Sequence, residues 1–301
     1  MHTKTLVIIA GPTAVGKTAL AIQVAKYFQT EIISADSRQF YREMEIGTAK
    51  PSFAELQEVK HHFINSNSIS ENITVGDYEQ DGLQVLDKIF ENHNTALLVG
   101  GSGLFLKAIY EGFDQFPDVI PGIREELNQH LAHFGLVYLQ KKLTELDPAY
   151  YAEVDIYNPQ RVIRALEICI SAGKPYSSFR IQNQTTRPFK TVKICLNISR
   201  EQLYKQINSR VDKMMEAGLL NEVNSLTEYQ HLNALNTVGY TELFSYLKGN
   251  QSLIQAIDSI KQNTRRFAKR QLTWFRKDQE MVWFEPDTKP VIDYLKSQII
   301  N

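Results

Sequence analysis

The segment TLVIIAGPTAVGKTALAIQVAKYF, residues 5–28, joins an apolar run to an amphipathic run through a glycine-rich loop. The loop, residues 11–18, fits the pattern G-x-x-x-x-G-K-[ST], with Gly11, Gly16, Lys17 and Thr18 in the fixed places. Glycines let backbone N–H groups turn towards anionic oxygens, and the helix that follows directs its positive end at the same charge. We therefore predict a phosphate-binding loop in which Lys17 neutralises phosphate oxygens and the Thr18 hydroxyl faces Mg²⁺.

The chain around this loop alternates apolar strands with helices up to about residue 112. EIISA (31–35) and TALLVGG (95–101) carry no polar alternation, which is typical of parallel strands covered on both faces. From residue 113 to residue 188 only helical patterns occur. We predict an α/β fold: a P-loop NTPase-like parallel sheet flanked by helices, formed by residues 1–112 and 189–301, with an all-helical insertion domain at residues 113–188.

The composition is that of an ordinary folded protein. The 301 residues are 43% hydrophobic and 22% charged, and a formal net charge of −1 argues against a nonspecific polyanion binder. No apolar stretch approaches the length of a membrane span or a signal-peptide core, so we expect a cytoplasmic protein, and a monomer because no segment indicates an obligate partner. Cys169 and Cys195 lack C-x-x-C spacing and are expected in the core, and the pair His61 and His62 is expected to be structural.

Two further segments follow predicted strands and should reach the phosphate loop. Ligands of parallel sheets bind at the carboxyl ends of the strands, where Asp36 and the run Gly100–Ser102 stand. The Asp36 carboxylate could hold Mg²⁺, accept a proton from a nucleophile or cap a helix. Backbone N–H groups of residues 100–102 could add donors for the anion, with the Ser102 hydroxyl as a further hydrogen-bonding group; alternatively, the glycines serve packing alone.

Basic residues cluster on two predicted helices. The segment KQNTRRFAKRQLTWFRK, residues 261–277, predicts a basic ridge of Lys261, Arg265, Arg266, Lys269 and Arg270. Phe267 is expected on the buried face of the same helix. A second helix, in the insertion, carries the basic run QRVIRAL, residues 160–166. Two basic elements beside a phosphate site favour an RNA partner, although solvated helix faces are the alternative.

The residues alone leave three function classes open. A small-molecule phosphotransferase would share the loop, the strand-end aspartate and the cationic side chains, and the residues by themselves favour this class slightly. The second class is a nucleotide-gated RNA-binding protein, and the third is a transferase acting on RNA. No apolar strand other than IISAD ends in the acidic residue that most P-loop ATPases use for Mg²⁺ and water, which argues against an ATP-driven motor.

The chain resembles the bacterial tRNA dimethylallyltransferases, also called tRNA isopentenyltransferases, in motifs that stand in that family's order and spacing. They are GPTAVGKTALA, IISADSRQFYREMEIGTAKP, VGGSGLFLKAI, DPAYYAEVDIYNPQRVIRALEI, RVDKMMEAGLLNEV, TVGY and TRRFAKRQLTWFRK. The resemblance covers nearly the whole chain. It implies transfer of a dimethylallyl group from dimethylallyl diphosphate to N6 of adenosine 37 in the tRNA anticodon stem-loop, with release of diphosphate in the presence of Mg²⁺.

The resemblance also implies roles for individual residues. The implied catalytic residues are Asp36 as general base, Arg210 as the diphosphate-binding arginine, and Ser102, which stands where threonine is usual. Phe105 stands where the family commonly has tyrosine. Gln206 stands where an additional arginine is frequent, so Arg210 lacks that second arginine in binding the diphosphate. The implied diphosphate-binding loop is Gly11, Pro12, Thr13, Ala14, Val15, Gly16, Lys17 and Thr18. The tRNA contacts expected from the resemblance and the basic helix are Asp36, Ser37, Arg38, Gln39, Ser102, Arg124, Gln160, Arg161, Val162, Ile163, Arg164, Arg265 and Lys269.

Overall fold

The computed structural model describes residues 4–180 and 186–299, and its strands form one sheet. The strands are β1 (Thr5–Ala10), β2 (Ile32–Ser34), β3 (His61–His62), β4 (Thr95–Gly100), β5 (Lys190–Leu196) and β6 (Val282–Phe284). Their order is β3-β2-β4-β1-β5-β6, and every neighbouring pair is parallel. The predicted α/β fold with a parallel sheet is confirmed.

Helices follow the strands along the chain. They are α1 (Lys17–Phe28), α2 (Phe53–Glu58), α3 (Val75–Asn92), α4 (Gly103–Glu111), α5 (Ile123–Phe134), α6 (Leu136–Leu146), α7 (Pro148–Glu153), α8 (Pro159–Ala172), α9 (Arg200–Glu216), α10 (Leu219–Ser225), α11 (Tyr240–Leu247), α12 (Leu253–Phe275) and α13 (Thr288–Ile299). In the part of the chain that the structure describes, none of them is long and apolar enough to cross a membrane.

The sheet is covered on both faces, and its central strands β1 and β4 are buried along their whole length and mostly apolar. Along β1, Leu6 and Ile8 belong to one core and Val7 and Ile9 to the other, as the two-residue period of a strand requires. The first core includes residues of α3 and α4, and the second includes residues of α1 and α13. Strands β2, β4 and β1 are neighbours, so the loops at their carboxyl ends meet at one edge of the sheet.

The chain divides into two compact units, residues 1–111 with 186–301 and residues 112–185. The first contains the sheet, and the described part of the second is helical, with α5 to α8 packed around an apolar cluster that includes Leu127, Leu139 and Ile163. The sequence places the insertion at residues 113–188, and residues 181–185 of it lie outside the described residues.

Three details concern residues that the sequence singled out. His61 and His62 form the short strand β3, which the apolar pattern does not predict, and His62 Nε2 lies 2.5 Å from Glu31 Oε2. Within residues 4–180 and 186–299 no cluster of three His, Cys, Asp or Glu side chains is arranged to hold a metal ion. Cys169 and Cys195 are buried, as expected. Phe267 was predicted on the buried face of α12 and is 38% exposed, so that prediction was wrong.

Candidate active site

The loop between β1 and α1 has the backbone conformation that its glycines allow. Gly11 has φ +154° and Gly16 has φ +100°, and Gly16 lies directly before the first residue of α1. The Lys17 ammonium donates to the carbonyl oxygens of Gly11 and Pro12 at 3.0 and 2.8 Å. The lysine thus lies back over its own loop, with the positive end of α1 beside it.

This loop borders a cavity of about 350 Å³, called the loop cavity below, which is also lined by Thr18, Asp36 and Arg210. A second cavity of about 710 Å³ is called the aromatic cavity, because Phe105, Phe267 and Trp274 contribute to its wall. Asp36, Arg210 and Gln271 line both cavities, so the two adjoin. A compact polar space beside the loop therefore borders a larger one with aromatic walls.

Cationic groups in the loop cavity are poorly hydrated. Burial lowers the pKa of Lys17 to about 8, while the nearby Asp36 charge opposes that shift and the Arg210 charge adds to it. Burial likewise lowers the pKa of Arg210, again opposed by Asp36. Holding two cations in a desolvated space costs free energy unless negative charge lies nearby. A diphosphate-like anion brings more negative charge than the single carboxylate of Asp36.

Asp36 lies in a turn, and no helix begins between β2 and α2 in the described part of the chain, so the helix-cap alternative was wrong. Its carboxylate accepts the Arg38 N–H at 3.1 Å, and its carbonyl accepts the Gln39 N–H at 3.1 Å, so it stabilises the turn after β2. The carboxylate also lines both cavities, where it is available to a ligand. The neighbouring side chains serve the surrounding loops: the Arg38 guanidinium donates to the carbonyl of Ala234, and the Gln39 amide donates to that of Thr48.

The glycine run after β4 is explained by packing. A Cβ on Gly100 would lie 2.2 Å from the carbonyl oxygen of Ala35, and one on Gly103 would lie 2.1 Å from Trp274 Nε1. The Ser102 N–H donates to the Ala35 carbonyl at 3.3 Å, so the prediction that it is a donor for an anion was wrong. The Ser102 hydroxyl accepts the Ser37 N–H at 3.3 Å and borders the aromatic cavity.

Two polar side chains that shape these cavities, the buried Gln271 and the partly exposed Glu222, were not predicted from the sequence. Gln271 on α12 accepts the Thr13 N–H and donates to the Gly101 carbonyl, both at 2.9 Å. The Glu222 carboxylate accepts the backbone N–H groups of residues 45, 46 and 47 and the hydroxyl of Tyr240, which anchors the loop that walls the loop cavity at residues 48–51. A signal for Gln271 exists, because it lies between the buried positions 268 and 275 of an amphipathic helix.

The basic face of α12 is less continuous than predicted. Lys261 pairs with Asp212 of α9 at 2.5 Å, and Arg265 donates to Asn208 of the same helix at 2.7 Å. Lys269 is exposed, as are the two other arginines of the predicted ridge. Only part of that ridge is therefore presented to a ligand without competition from α9.

In the helical unit, the predicted RNA contacts differ in accessibility. Val162 and Ile163 are fully buried in the apolar cluster, so their side chains cannot contact a ligand, and including them was wrong. Gln160 and Arg161 are exposed on α8. The buried carboxylate of Glu167 binds two further arginines: Arg124 in a bidentate pair at 2.7 Å, and Arg164 at 3.2 Å.

Comparison with known proteins decides the family. A model of the IPP transferase family matches residues 39–278. The chain belongs to the IPP transferase family. The tRNA dimethylallyltransferase of Christiangramia forsetii is 56% identical over 296 residues, 98% of each chain, and that of Flavobacterium johnsoniae is 49% identical over 300 residues, 97% of each. The resemblance stated from the motifs is confirmed.

Solved structures of the IPP transferase family agree over the whole chain. The full-length tRNA isopentenylpyrophosphate transferase of Bacillus halodurans is 38% identical with a TM-score of 0.71, covering 99% of this chain and 96% of that one. A eukaryotic dimethylallyltransferase acting on tRNA is 26% identical with a TM-score of 0.80, covering 98% of this chain and 77% of that one. Both likenesses extend over the sheet and the helical unit alike.

Proposed function

We propose that this chain transfers the dimethylallyl group of dimethylallyl diphosphate to N6 of adenosine 37 in tRNA, beside the anticodon, and releases diphosphate. Membership of the IPP transferase family and the names of its full-length relatives support this activity. One observation in the structure carries the proposal furthest: the cavity with Lys17 and Arg210 adjoins the larger aromatic cavity, and Asp36 lines both. The dimethylallyl diphosphate in the first cavity and the adenine in the second would meet at that carboxylate.

The loop cavity is proposed to bind the diphosphate leaving group. As the bond between C1 of the dimethylallyl group and the diphosphate oxygen breaks, negative charge grows on the diphosphate. Lys17, Arg210 and N–H groups of the phosphate loop would stabilise that charge, and they are already positioned in a space where burial strengthens electrostatic attraction. The phosphate group is thus released and not carried to the acceptor.

The acceptor nitrogen loses one proton in the reaction. The exocyclic N6 of adenine is a weak nucleophile, and its lone pair forms the new bond to C1 as the old C–O bond breaks. The alkylated nitrogen becomes positively charged and acidic, and Asp36 takes its surplus proton. A carboxylate that borders both cavities suits this role, because the proton is released where the dimethylallyl donor meets the adenine.

Mg²⁺ is proposed as the partner of the diphosphate. Thr18, whose side chain carries a hydroxyl, lines the loop cavity, and Mg²⁺ usually combines few protein ligands with phosphate oxygens and water, so the residues present fit this ion. Thr18 would hold the ion, which when bound neutralises diphosphate charge.

Each unit by itself carries residues that are proposed to contact the tRNA. Adenosine 37 must leave the base stack of the anticodon loop, at a cost of about a few kcal/mol that is lower in a loop than in a duplex. Within the first unit, Lys269 and the aromatic cavity are proposed to receive the loop. Within the helical unit, Arg124, Arg161 and Arg164 are proposed to bind phosphates. A monomeric state and a cytoplasmic location stay predictions from the sequence.

The experiment is mass spectrometry of an unmodified tRNA with adenosine at position 37, incubated with the protein, Mg²⁺ and dimethylallyl diphosphate. The control is the same tRNA with guanosine at that position. We expect one added dimethylallyl group on the first tRNA and none on the second. In a parallel incubation with added ATP, consumption of ATP with no gain on either tRNA would favour the kinase class. Tight tRNA binding without any transfer would favour the RNA-binding class.

A further inference from the structure

Gln271 occupies the place where the central ladder of the sheet ends. Strands β1 and β4 are paired as far as Ala10 and Gly100, and their chains then turn into the phosphate loop and the loop before α4. Directly beyond that last pair, the Gln271 amide accepts the Thr13 N–H and donates to the Gly101 carbonyl, both at 2.9 Å. A side-chain amide thus joins the two loops as one further peptide group would.

The orientation of this amide is fixed by its partners. A backbone N–H can only donate and a backbone carbonyl can only accept, so the Gln271 oxygen must face Thr13 and its nitrogen must face Gly101. The amide packs closely on Gly101, since a Cβ on that residue would lie 2.3 Å from Gln271 Nε2. Gln271 itself is 7% exposed, and its neighbours on the same face of α12, Ala268 and Phe275, are buried in the cores.

The joined loops belong to different parts of the reaction proposed above. The phosphate loop lines the loop cavity, and Gly101 and Ser102 line the aromatic cavity. Gln271 and its partner Thr13 line both cavities. The helix that carries Gln271 also carries Phe267 and Trp274, which contribute aromatic wall. One buried amide therefore connects the phosphate loop, the loop before α4 and helix α12.

We propose that Gln271 is a positioning residue for group transfer: its amide sets the spacing between the loop that holds the diphosphate and the loop beside the acceptor base. This inference rests on the proposed function. A bond between two bound reactants forms only when the reacting atoms are held at close contact, and a misplacement of about 1 Å can cost about 10²-fold in rate. Losing the amide should therefore lower turnover while each substrate still binds.

Two substitutions separate positioning from folding. Gln271→Met keeps the length and volume of the side chain and removes both hydrogen bonds. Gln271→Glu keeps the acceptor for Thr13 and, when ionised, has no donor for Gly101; once protonated, it again offers one donor and one acceptor. Gln262→Met, at an exposed position of the same helix, is the matched control. All variants are full-length and are checked by thermal unfolding before assay.

The assay measures kcat with both substrates saturating, the KM for dimethylallyl diphosphate and the Kd for tRNA. We expect kcat of Gln271→Met to fall on the order of 10- to 10²-fold, with tRNA affinity within about threefold of the wild type, and Gln262→Met to be unchanged. The kcat of Gln271→Glu relative to the wild type should rise as pH falls from 7 towards 5. The other charged or titratable side chains that line the two cavities are common to both proteins, so the ratio isolates the effect of residue 271; they are Lys17, Asp36, Arg38, Lys50, Glu55, His61, Arg210, Glu242 and Arg270.

Three results would overturn the inference: an unchanged kcat in a folded Gln271→Met protein, a loss of tRNA affinity as large as the loss of kcat, or a Gln271→Glu ratio that is flat with pH. A second readout does not depend on activity. Amide hydrogen exchange at Thr13 should be at least about tenfold faster in Gln271→Met, since its acceptor is gone, and equal protection would also refute the inference. A wild-type protein that transfers nothing would refute the proposed function. The exchange measurement would still test whether the Gln271 amide joins the two loops.

Discussion

Binding of dimethylallyl diphosphate should weaken about tenfold between pH 7 and pH 9, because Lys17 loses its proton in that range. Burial lowers the pKa of this lysine to about 8, from an ordinary value of 10.5. The charge that attracts the diphosphate is therefore complete well below pH 8 and lost above it. A bound diphosphate favours the charged form, so the lysine should be protonated again in the complex.

The magnitude follows from this proton linkage. When only the protonated form binds well, the apparent dissociation constant grows by the factor 1 + 10^(pH − 8), which is about 1.1 at pH 7 and about 11 at pH 9. Binding at pH 9 should accordingly take up about 0.9 proton per donor molecule, against about 0.1 at pH 7. Because the Arg210 charge contributes to the low pKa, Arg210→Met should move the midpoint to higher pH.

Isothermal titration calorimetry without tRNA measures both quantities, since repeating each titration in buffers of different ionisation enthalpy gives the proton uptake. Lys17→Arg is the control, because a guanidinium stays charged throughout this range and its binding curve should be flat with pH. Wild-type affinity that does not change between pH 7 and pH 9, with no proton uptake, would refute the reasoning. So would an equal slope in Lys17→Arg, because another group would then be titrating.

Three further predictions concern single positions. Asp36→Asn should lower single-turnover transfer by a factor on the order of 10² to 10⁴ with little change in tRNA affinity by filter binding, and an equal loss of affinity would contradict its role as base. Glu167→Gln frees the two arginines that this carboxylate anchors, so tRNA affinity should fall about three- to tenfold with kcat unchanged; Glu153→Gln, whose carboxylate is exposed, should bind like the wild type. Gly100→Ala places a Cβ 2.2 Å from a backbone oxygen and should cost about 3 kcal/mol of stability in thermal unfolding, whereas Gly76→Ala, with its nearest contact at 3.7 Å, should not.

The central strands and the phosphate loop could be predicted from sequence because their signals are local. Residues 6–10 are apolar without interruption, and the glycines at 11 and 16 bracket a loop whose backbone needs them. Strand β3 could not be predicted in this way. It has only two residues, both histidine, and it forms because neighbouring β2 offers an edge for pairing.

Several side-chain roles could not be predicted because a polar residue type does not reveal its partner. Lys261 and Arg265 read as an open basic face, yet both contact α9, which lies about fifty residues earlier in the chain. From the sequence, Gln271 is one more polar residue on a basic helix. In the structure its amide joins the loops that follow β1 and β4. Val162 and Ile163 entered the expected RNA contacts with their neighbours, and only the packing of α8 shows that they face inward.

The central claim is that diphosphate leaves as the dimethylallyl group reaches the RNA. The most direct measurement follows inorganic diphosphate and alkylated tRNA together in one reaction that contains Mg²⁺ and dimethylallyl diphosphate but no nucleoside triphosphate. We predict one diphosphate released for each tRNA modified, and none when tRNA is omitted. Diphosphate release without a matching gain on the tRNA, or a requirement for ATP, would contradict the claim.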